Sequence, residues 1–446
     1  MHPAQADGAD RFSGRDSRRS GSASRDRHLR RGRRREAQRE GLHHSGPWRR
    51  RRPDVRNEVR GRRNRMEKLK VMTVFGTRPE AVKMAPLVLE LQKHSEQIEP
   101  IVCVTAQHRE ILDQVLELFR IKPDYDLNVM KDRQTLTETT VRVLEGIEPV
   151  LKEARPDIVL VHGDTQTTFL ASYASFLQQI QVGHVEAGLR TWNKMSPYPE
   201  EMNRQLAGVL SDVHFAPTDW SAGNLRRESK PESAIYVTGN TATDVFQYTV
   251  DPEFTHPMLD WAAGKRLILM TAHRRESLGE PHRNIFRAVK RIADEFDDIA
   301  IVYAVHPNPA VREPAQEILG DHPRIKLIEP LDVFEIHNFF PHTYLLLTDS
   351  GGMQEEAPSF GIPTLVLRDT TERPEGIEAG TLELVGTDET RVYERTRALL
   401  TDQGTYERMS KAANPYGDGA ASERIVAAIL HHFGRGERPE PFTQRS

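Results

Sequence analysis

From Leu69 onward the chain alternates short, continuously apolar runs with longer segments whose apolar residues recur at helical spacing. The runs are Val71–Phe75, Ile101–Thr105, Ile158–Val161, Val182–Val185, Leu267–Thr271, Ile299–Val305, Ile325–Ile328, Leu345–Thr348 and Thr364–Leu367. Runs of this kind, apolar without an in/out alternation, predict strands buried on both faces, as in a parallel sheet. The intervening segments Ala81–Lys93, Arg109–Phe119, Leu136–Glu153, Asn203–Leu210 and His282–Glu295, and a final Ala421–Phe433, predict helices. Strand and helix in alternation predict a doubly wound α/β architecture built from right-handed crossovers.

Nine strands exceed one such sheet of ordinary size, and the strand signal pauses over Asp244–Lys265, where Asp251-Pro252 and His256-Pro257 stand. The expected organisation is therefore two Rossmann-like halves, over 66–243 and 244–415, facing each other across a cleft. A terminal helix over 416–436 is expected to pack back on the first half. Ligands of such folds sit beyond the carboxyl ends of the strands, so the polar residues just after each apolar run carry the candidate chemistry.

Composition narrows the class. A chain of 446 residues, 37% apolar and 28% charged, is long enough for two domains and too polar for a membrane-embedded body. The single Cys103 excludes an intramolecular disulfide framework and a cysteine-based zinc site. No stretch near the N-terminus has the apolar core of a secretory signal, which makes a cytoplasmic address the expectation.

The net charge of −3 hides two unlike parts: residues 1–65 hold 21 Arg, no Lys and 8 acids, a balance of +13, leaving −16 for the rest. The leader has runs such as Arg33-Arg34-Arg35 and too few large apolar residues to offset its ordering entropy, so it is expected to be disordered. Clustered Arg would suit unspecific nucleic-acid binding. The abrupt change at Met66, where Met66-Glu67-Lys68-Leu69-Lys70 runs into the first strand, favours an upstream extension without a part in the function.

Several strand ends carry chemistry. The run ending at Phe75 leads into Gly76-Thr77-Arg78-Pro79-Glu80 and a helix containing Lys83. A glycine turn at a helix start offers free amides, and Arg78 and Lys83 add cationic donors, so this place suits an anion, or else is a plain strand-to-helix turn. In the second half Thr348 is followed by Asp349-Ser350-Gly351-Gly352-Met353-Gln354-Glu355-Glu356, a better phosphate candidate because two glycines allow close backbone approach. Glu356, about a turn into that helix, could accept the hydroxyls of a ribose, or be an ordinary acid of a first turn.

Carboxylates follow in His162-Gly163-Asp164, His184-Val185-Glu186 and Ser196-Pro197-Tyr198-Pro199-Glu200-Glu201. Glu200 and Arg204 are four apart and could simply pair. Asp164 and Glu186 follow buried runs, where an unpaired charge is costly unless it opens into a cleft. Opposite them stand His273-Arg274 and His306. No His and acid spacing resembles a metal motif, and none is expected.

The segments VFGTRPEAVKMAPL (74–87), LVHGDT (160–165), GHVEAGLRT (183–191), SPYPEEMNRQL (196–206), TAHRRES (271–277), LTDSGGMQEEAPSFG (347–361) and RDTTERPEG (368–376) together resemble the non-hydrolysing bacterial UDP-N-acetylglucosamine 2-epimerases. The resemblance runs from about Leu69 to about Phe433. It implies a GT-B-like two-domain fold, a homodimer, and interconversion of UDP-GlcNAc and UDP-ManNAc with neither a nicotinamide cofactor nor a metal. In that reaction UDP leaves carbon 1 to give 2-acetamidoglucal and returns with carbon 2 inverted, and the product supplies ManNAc for cell-surface polysaccharide.

Carried onto this sequence, the resemblance makes Asp164, Glu186 and Glu200 the proton-transfer carboxylates, with His273 beside them and Arg204 positioning them. Arg78, Lys83, Ser350, Gly351 and Gly352 would face the leaving diphosphate, and Glu356 the ribose. Some members take a second UDP-GlcNAc as an activator. The matching positions are Gln107, Arg133, Arg274 and His306, with Glu110 where those members carry Gln. The alternatives at this stage are a GT-B glycosyltransferase acting on a UDP-sugar and a hydrolysing relative that releases free ManNAc.

Overall fold

The computed structural model describes residues 67–443, apart from 107, 108, 132, 133 and 372 and the side chains of 109–111. The Arg-rich leader therefore lies outside the described residues, as do Gln107, Arg133 and the Glu110 side chain. Among the described residues thirteen strands form two sheets, and every strand pair is parallel.

The first sheet contains β1 (Leu69–Phe75), β2 (Ile98–Val104), β3 (Tyr125–Asp126), β4 (Ile158–His162), β5 (Gln181–Val185), β6 (Val213–Ala216) and β7 (Ile235–Val237), in spatial order 3-2-1-4-5-6-7. The second contains β8 (Arg266–Thr271), β9 (Ile299–Ala304), β10 (Ile325–Ile328), β11 (Thr343–Thr348), β12 (Thr364–Val366) and β13 (Leu382–Leu384), in order 10-9-8-11-12-13. Each order reverses beside its first strand, so each sheet has a switch point, between β1 and β4 and between β8 and β11. This is the expected α/β fold of two Rossmann-like layers.

All nine apolar runs are strands. The four strands without such a run are short or interrupted: β3 has two residues, β7 and β13 three, and β6 carries His214 in mid-run. His214 fits there because it is neutral, burial pushing its pKa down to about 3.

One face of the first sheet is covered by helices Arg78–Lys93 and Arg109–Leu118 and by the terminal helix Ala421–His432, which adds Ile425, Val426, Ala428 and Ile429 to that core. The chain thus returns from the second sheet to the first. The Asp244 carboxylate fixes the return by accepting the Ala421 and Ser422 amides at 3.0 and 2.6 Å. Among the described residues no helix is long and apolar enough to cross a membrane.

Candidate active site

A cavity of about 490 Å³ opens at the carboxyl ends of both sheets, at their switch points. Arg78, Asp164 and Glu186 line it from the first half, and His273, Ser350 and Glu356 from the second. Arg204, Glu200, Gly351 and Arg274 are not on its wall.

The turn after β1 differs from expectation. The amides of Gly76 and Thr77 are not free for an anion, because both donate to Glu80 Oε2, at 3.0 and 2.8 Å. The helix accordingly starts at Arg78, three residues before the apolar pattern begins, since Thr77 and Glu80 satisfy its first turn. The other Glu80 oxygen accepts from Thr165 Oγ1 at 2.6 Å, which ties the β1 turn to the β4 turn. Burial raises the Glu80 carboxyl despite these donors. The approach is tight: a Cβ on Gly76 would meet Thr105 Oγ1 at 1.8 Å. The spacing Thr-x-x-Glu held the signal for Glu80, which the motif reading passed over.

Lys83 faces carboxylates. Its Nζ donates to Glu186 Oε2 at 2.5 Å and to Glu355 Oε2 at 2.8 Å. Asn240 Nδ2 donates to the same two oxygens at 3.1 and 3.2 Å, and Arg373 Nε donates to Glu355 Oε1 at 2.7 Å. Burial alone would raise the Glu186 carboxyl, but the charge and hydrogen bond of Lys83, with His162 and Arg373, together more than reverse it and hold the group well below the carboxylate range. Burial alone would lower Lys83, and Glu186 and Glu355 together hold it above its ordinary value. Glu186 adopts φ +59°, a left-handed conformation rare outside glycine, which turns its side chain out of the line of β5.

Two histidines back this wall in the neutral form. Burial pushes His162, whose Nε2 is 3.6 Å from Glu186 Oε2, down to about 4. His184 is pushed to about 3 and its Nε2 lies 2.7 Å from the Gly163 carbonyl, so it holds the turn that presents Asp164.

Asp164 itself is ion-paired with Arg204 Nη2, with 30% of its side chain open to solvent and the cavity. Asn203 Nδ2 donates to the Asp164 carbonyl at 3.0 Å. The i,i+4 pair of Glu200 with Arg204 does not form: Arg204 turns to Asp164 and to Glu201 Oε2, at 3.4 Å for the latter. Glu201 is fully buried and accepts the amides of Thr191 and Trp192, each at 3.0 Å, so it is the carboxylate that pins the loop before this helix. Glu200 is partly exposed at the helix start.

In the second half the buried Asp349 organises the rim. Its Oδ2 accepts the amides of His273 and Arg274 at 2.6 and 2.7 Å, and its Oδ1 lies 3.0 Å from His273 Nδ1. His306 stacks on His273, with ring centres 5.8 Å apart. The helix Gly351–Glu356 follows Ser350. Gly351 lies close to the Arg373 guanidinium, whose Nη1 a Cβ there would meet at 2.8 Å. Glu356 Oε2 lies 3.8 Å from His337 Nε2; burial raises this carboxyl, and His337 with the nearby cations more than reverses the effect. Among the described residues no three His, Cys, Asp or Glu are grouped to hold a metal.

Sequence and fold comparisons bear on this arrangement. The family model described as UDP-N-acetylglucosamine 2-epimerase matches residues 89–430. The UDP-N-acetylglucosamine 2-epimerase of Bacillus subtilis is 60% identical over 379 residues, 85% of this chain and all of that protein. A crystal structure from Listeria monocytogenes with the same description superposes with a TM-score of 0.81 at 58% identity, covering 84% of this chain and 100% of the other. The Neisseria meningitidis UDP-GlcNAc 2-epimerase, solved with UDP-GlcNAc bound, gives 0.75 at 48% identity, covering 81% and 100%. The family model and these relatives each cover most of the chain, and the chain therefore belongs to the UDP-N-acetylglucosamine 2-epimerase family.

Proposed function

We propose that the chain interconverts UDP-GlcNAc and UDP-ManNAc by eliminating UDP from carbon 1 and re-adding it across 2-acetamidoglucal. The observation that carries this reading is the two-walled cavity. An open carboxylate, Asp164, and an ionised one, Glu186, lie on one wall, and the Ser350 turn with Glu356 lies on the other.

The reaction breaks two bonds, the C1–O bond to the diphosphate and the C2–H bond, and forms a C1–C2 double bond. Charge grows on the departing UDP, and Arg78 with the backbone around Ser350, Gly351 and Gly352 stabilises it as it develops. Asp164 exchanges the proton at carbon 2, Arg204 aims it through their ion pair, and Glu186 and Glu200 assist. His273, oriented by Asp349, lies on the nucleotide side, and Glu356 accepts from the ribose hydroxyls. The ManNAc product suits the supply of a cell-surface polysaccharide.

Proton NMR of the protein with UDP-GlcNAc in D₂O tests the reading. The expected result is UDP-ManNAc with deuterium at carbon 2. Substrate left intact and unlabelled would refute it, and free ManNAc would move the assignment to a hydrolysing enzyme.

The functional unit is a homodimer in this reading. Helices Gln166–Leu177 and Glu200–Leu210 pack side by side and expose Tyr173, Phe176, Leu177, Leu206 and Val209, with Val209 69% exposed. A contiguous apolar face of this kind is the usual mark of an interface. Val209→Arg is expected to convert a sedimenting dimer to monomer at micromolar concentration. A wild-type protein that sediments as a monomer would overturn the assignment.

A further inference from the structure

Glu355 stands next to Glu356 on a six-residue helix, is 1% exposed, and does not line the cavity. It belongs to the second half, yet its Oε2 lies 2.8 Å from Lys83 Nζ on the first half, while its Oε1 accepts from Arg373. Lys83 in turn touches Glu186, which does line the cavity. Asn240, in the loop after β7, bridges both carboxylates through one amide nitrogen. The result is a buried cluster of two cations and two anions that joins the helix of the Ser350 turn to the carboxylate after β5.

We propose that Glu355 is a positioning residue for the epimerisation, acting through Lys83 by holding its ammonium charged and fixed against Glu186. The proposal rests on the reaction assigned above.

The physical argument concerns charge balance in a dry place. Lys83 is buried, and burial disfavours its charged form. Two carboxylates face it and one cation, Arg373, opposes it. The groups facing Glu186 are Lys83 from helix Arg78–Lys93, the neutral His162 at the end of β4, Arg373 ahead of helix Pro374–Glu378, and the uncharged Asn240. Removing the charge of Glu355 leaves Lys83 ion-paired with Glu186, with Glu356 acting on it through space and Arg373 still repelling it. Lys83 then gives up its proton at lower pH, and once neutral it no longer fixes Glu186 in its ionised form or in its orientation. The identity of the residue as an acid, rather than its volume, is what the cluster uses.

The experiment compares wild type, Glu355→Gln and Glu355→Asp in two readouts. The first is kcat and KM for UDP-GlcNAc across the alkaline range. In Glu355→Gln the alkaline limb of kcat is expected to move down by about one pH unit or more, with KM within roughly threefold. Glu355→Asp keeps the charge, so its limb is expected to stay at the wild-type position even where the shorter side chain lowers kcat. A merely structural role would lower activity evenly across pH and move no limb.

The second readout is the titration of the Lys83 amine by NMR of isotope-labelled lysine, which needs no turnover. Lys83 titrating at lower pH in Glu355→Gln and unshifted in Glu355→Asp supports the proposal. An unmoved Lys83 titration in Glu355→Gln, or the same shift in both variants, overturns it. A shifted titration in a protein whose wild type makes no UDP-ManNAc would uphold the hold on Lys83 and remove the assigned reaction instead.

Discussion

Asp164→Asn lowers turnover by roughly 10²–10⁴ with the fold intact, the scale expected when a proton-transferring group is replaced by its isostere. The side chain sits at the carboxyl end of β4, on the cavity wall, and pairs with Arg204. The amide keeps the shape and removes both the charge and the basicity. Because the Asp164 side chain is 30% exposed, its pair with Arg204 contributes at most about 1 kcal/mol to stability, and Arg204 keeps Glu201. Asp164→Asn should therefore melt within a few degrees of wild type and bind UDP-GlcNAc with little change in KM. Steady-state kinetics with a melting curve decides the matter, and turnover within about threefold of wild type would remove Asp164 from the proton transfer.

The contrast with Glu200 shows what a sequence holds and what it does not. Asp164 and Glu186 could be singled out because each follows a continuous apolar run, and a charge in that position opens into a cleft or is costly. Glu200 and Glu201 are neighbours in one loop, and spacing could not tell that Glu201 is the buried one that pins it. The same ambiguity recurs at Glu355 and Glu356. Adjacent residues on a helix point about 100° apart, so one reaches the cavity and the other reaches Lys83.

The fold was legible wherever a strand is long and buried on both faces, as in β1, β8 and β9, because an unbroken apolar run there has few alternative explanations. It was not legible at β3, β7 and β13, whose two or three residues leave no pattern and whose pairing comes from neighbours far along the chain. The site divides the same way. Residues that act at their own strand end could be named. Asn240 and Asp349, and Glu80 in its bond with Thr165, act through partners 54 to 115 positions away, and no local spacing encodes such a contact. The Gly76 turn is the opposite case: its amides are taken by Glu80, three and four residues on, and the Thr77-x-x-Glu80 spacing does encode that contact.

Lys83→Met removes the cation at the centre of the buried cluster while keeping most of the side chain's length and apolar volume. Glu186 loses its nearest counter-charge and Glu355 retains only Arg373 and Asn240. Breaking a buried pair by deleting one partner typically costs about 3–5 kcal/mol, and Arg373 places this case at the lower end. The cost depends on pH with a definite sign. In wild type the Glu186 carboxyl is held below its ordinary value, so its contribution is present above the unfolded value near pH 4 and is lost as pH falls. In the variant, burial without Lys83 raises the Glu186 carboxyl, so the folded form is favoured by protonating it and is weakened as pH rises through its raised value. The difference in stability between the two proteins should thus be widest at neutral pH and narrow toward about pH 5. Denaturant unfolding of both at several pH values measures it. A difference that stayed constant over that range would mean that Lys83 serves the core through its aliphatic stem, and the charge pairing with Glu186 and Glu355 would no longer account for its burial.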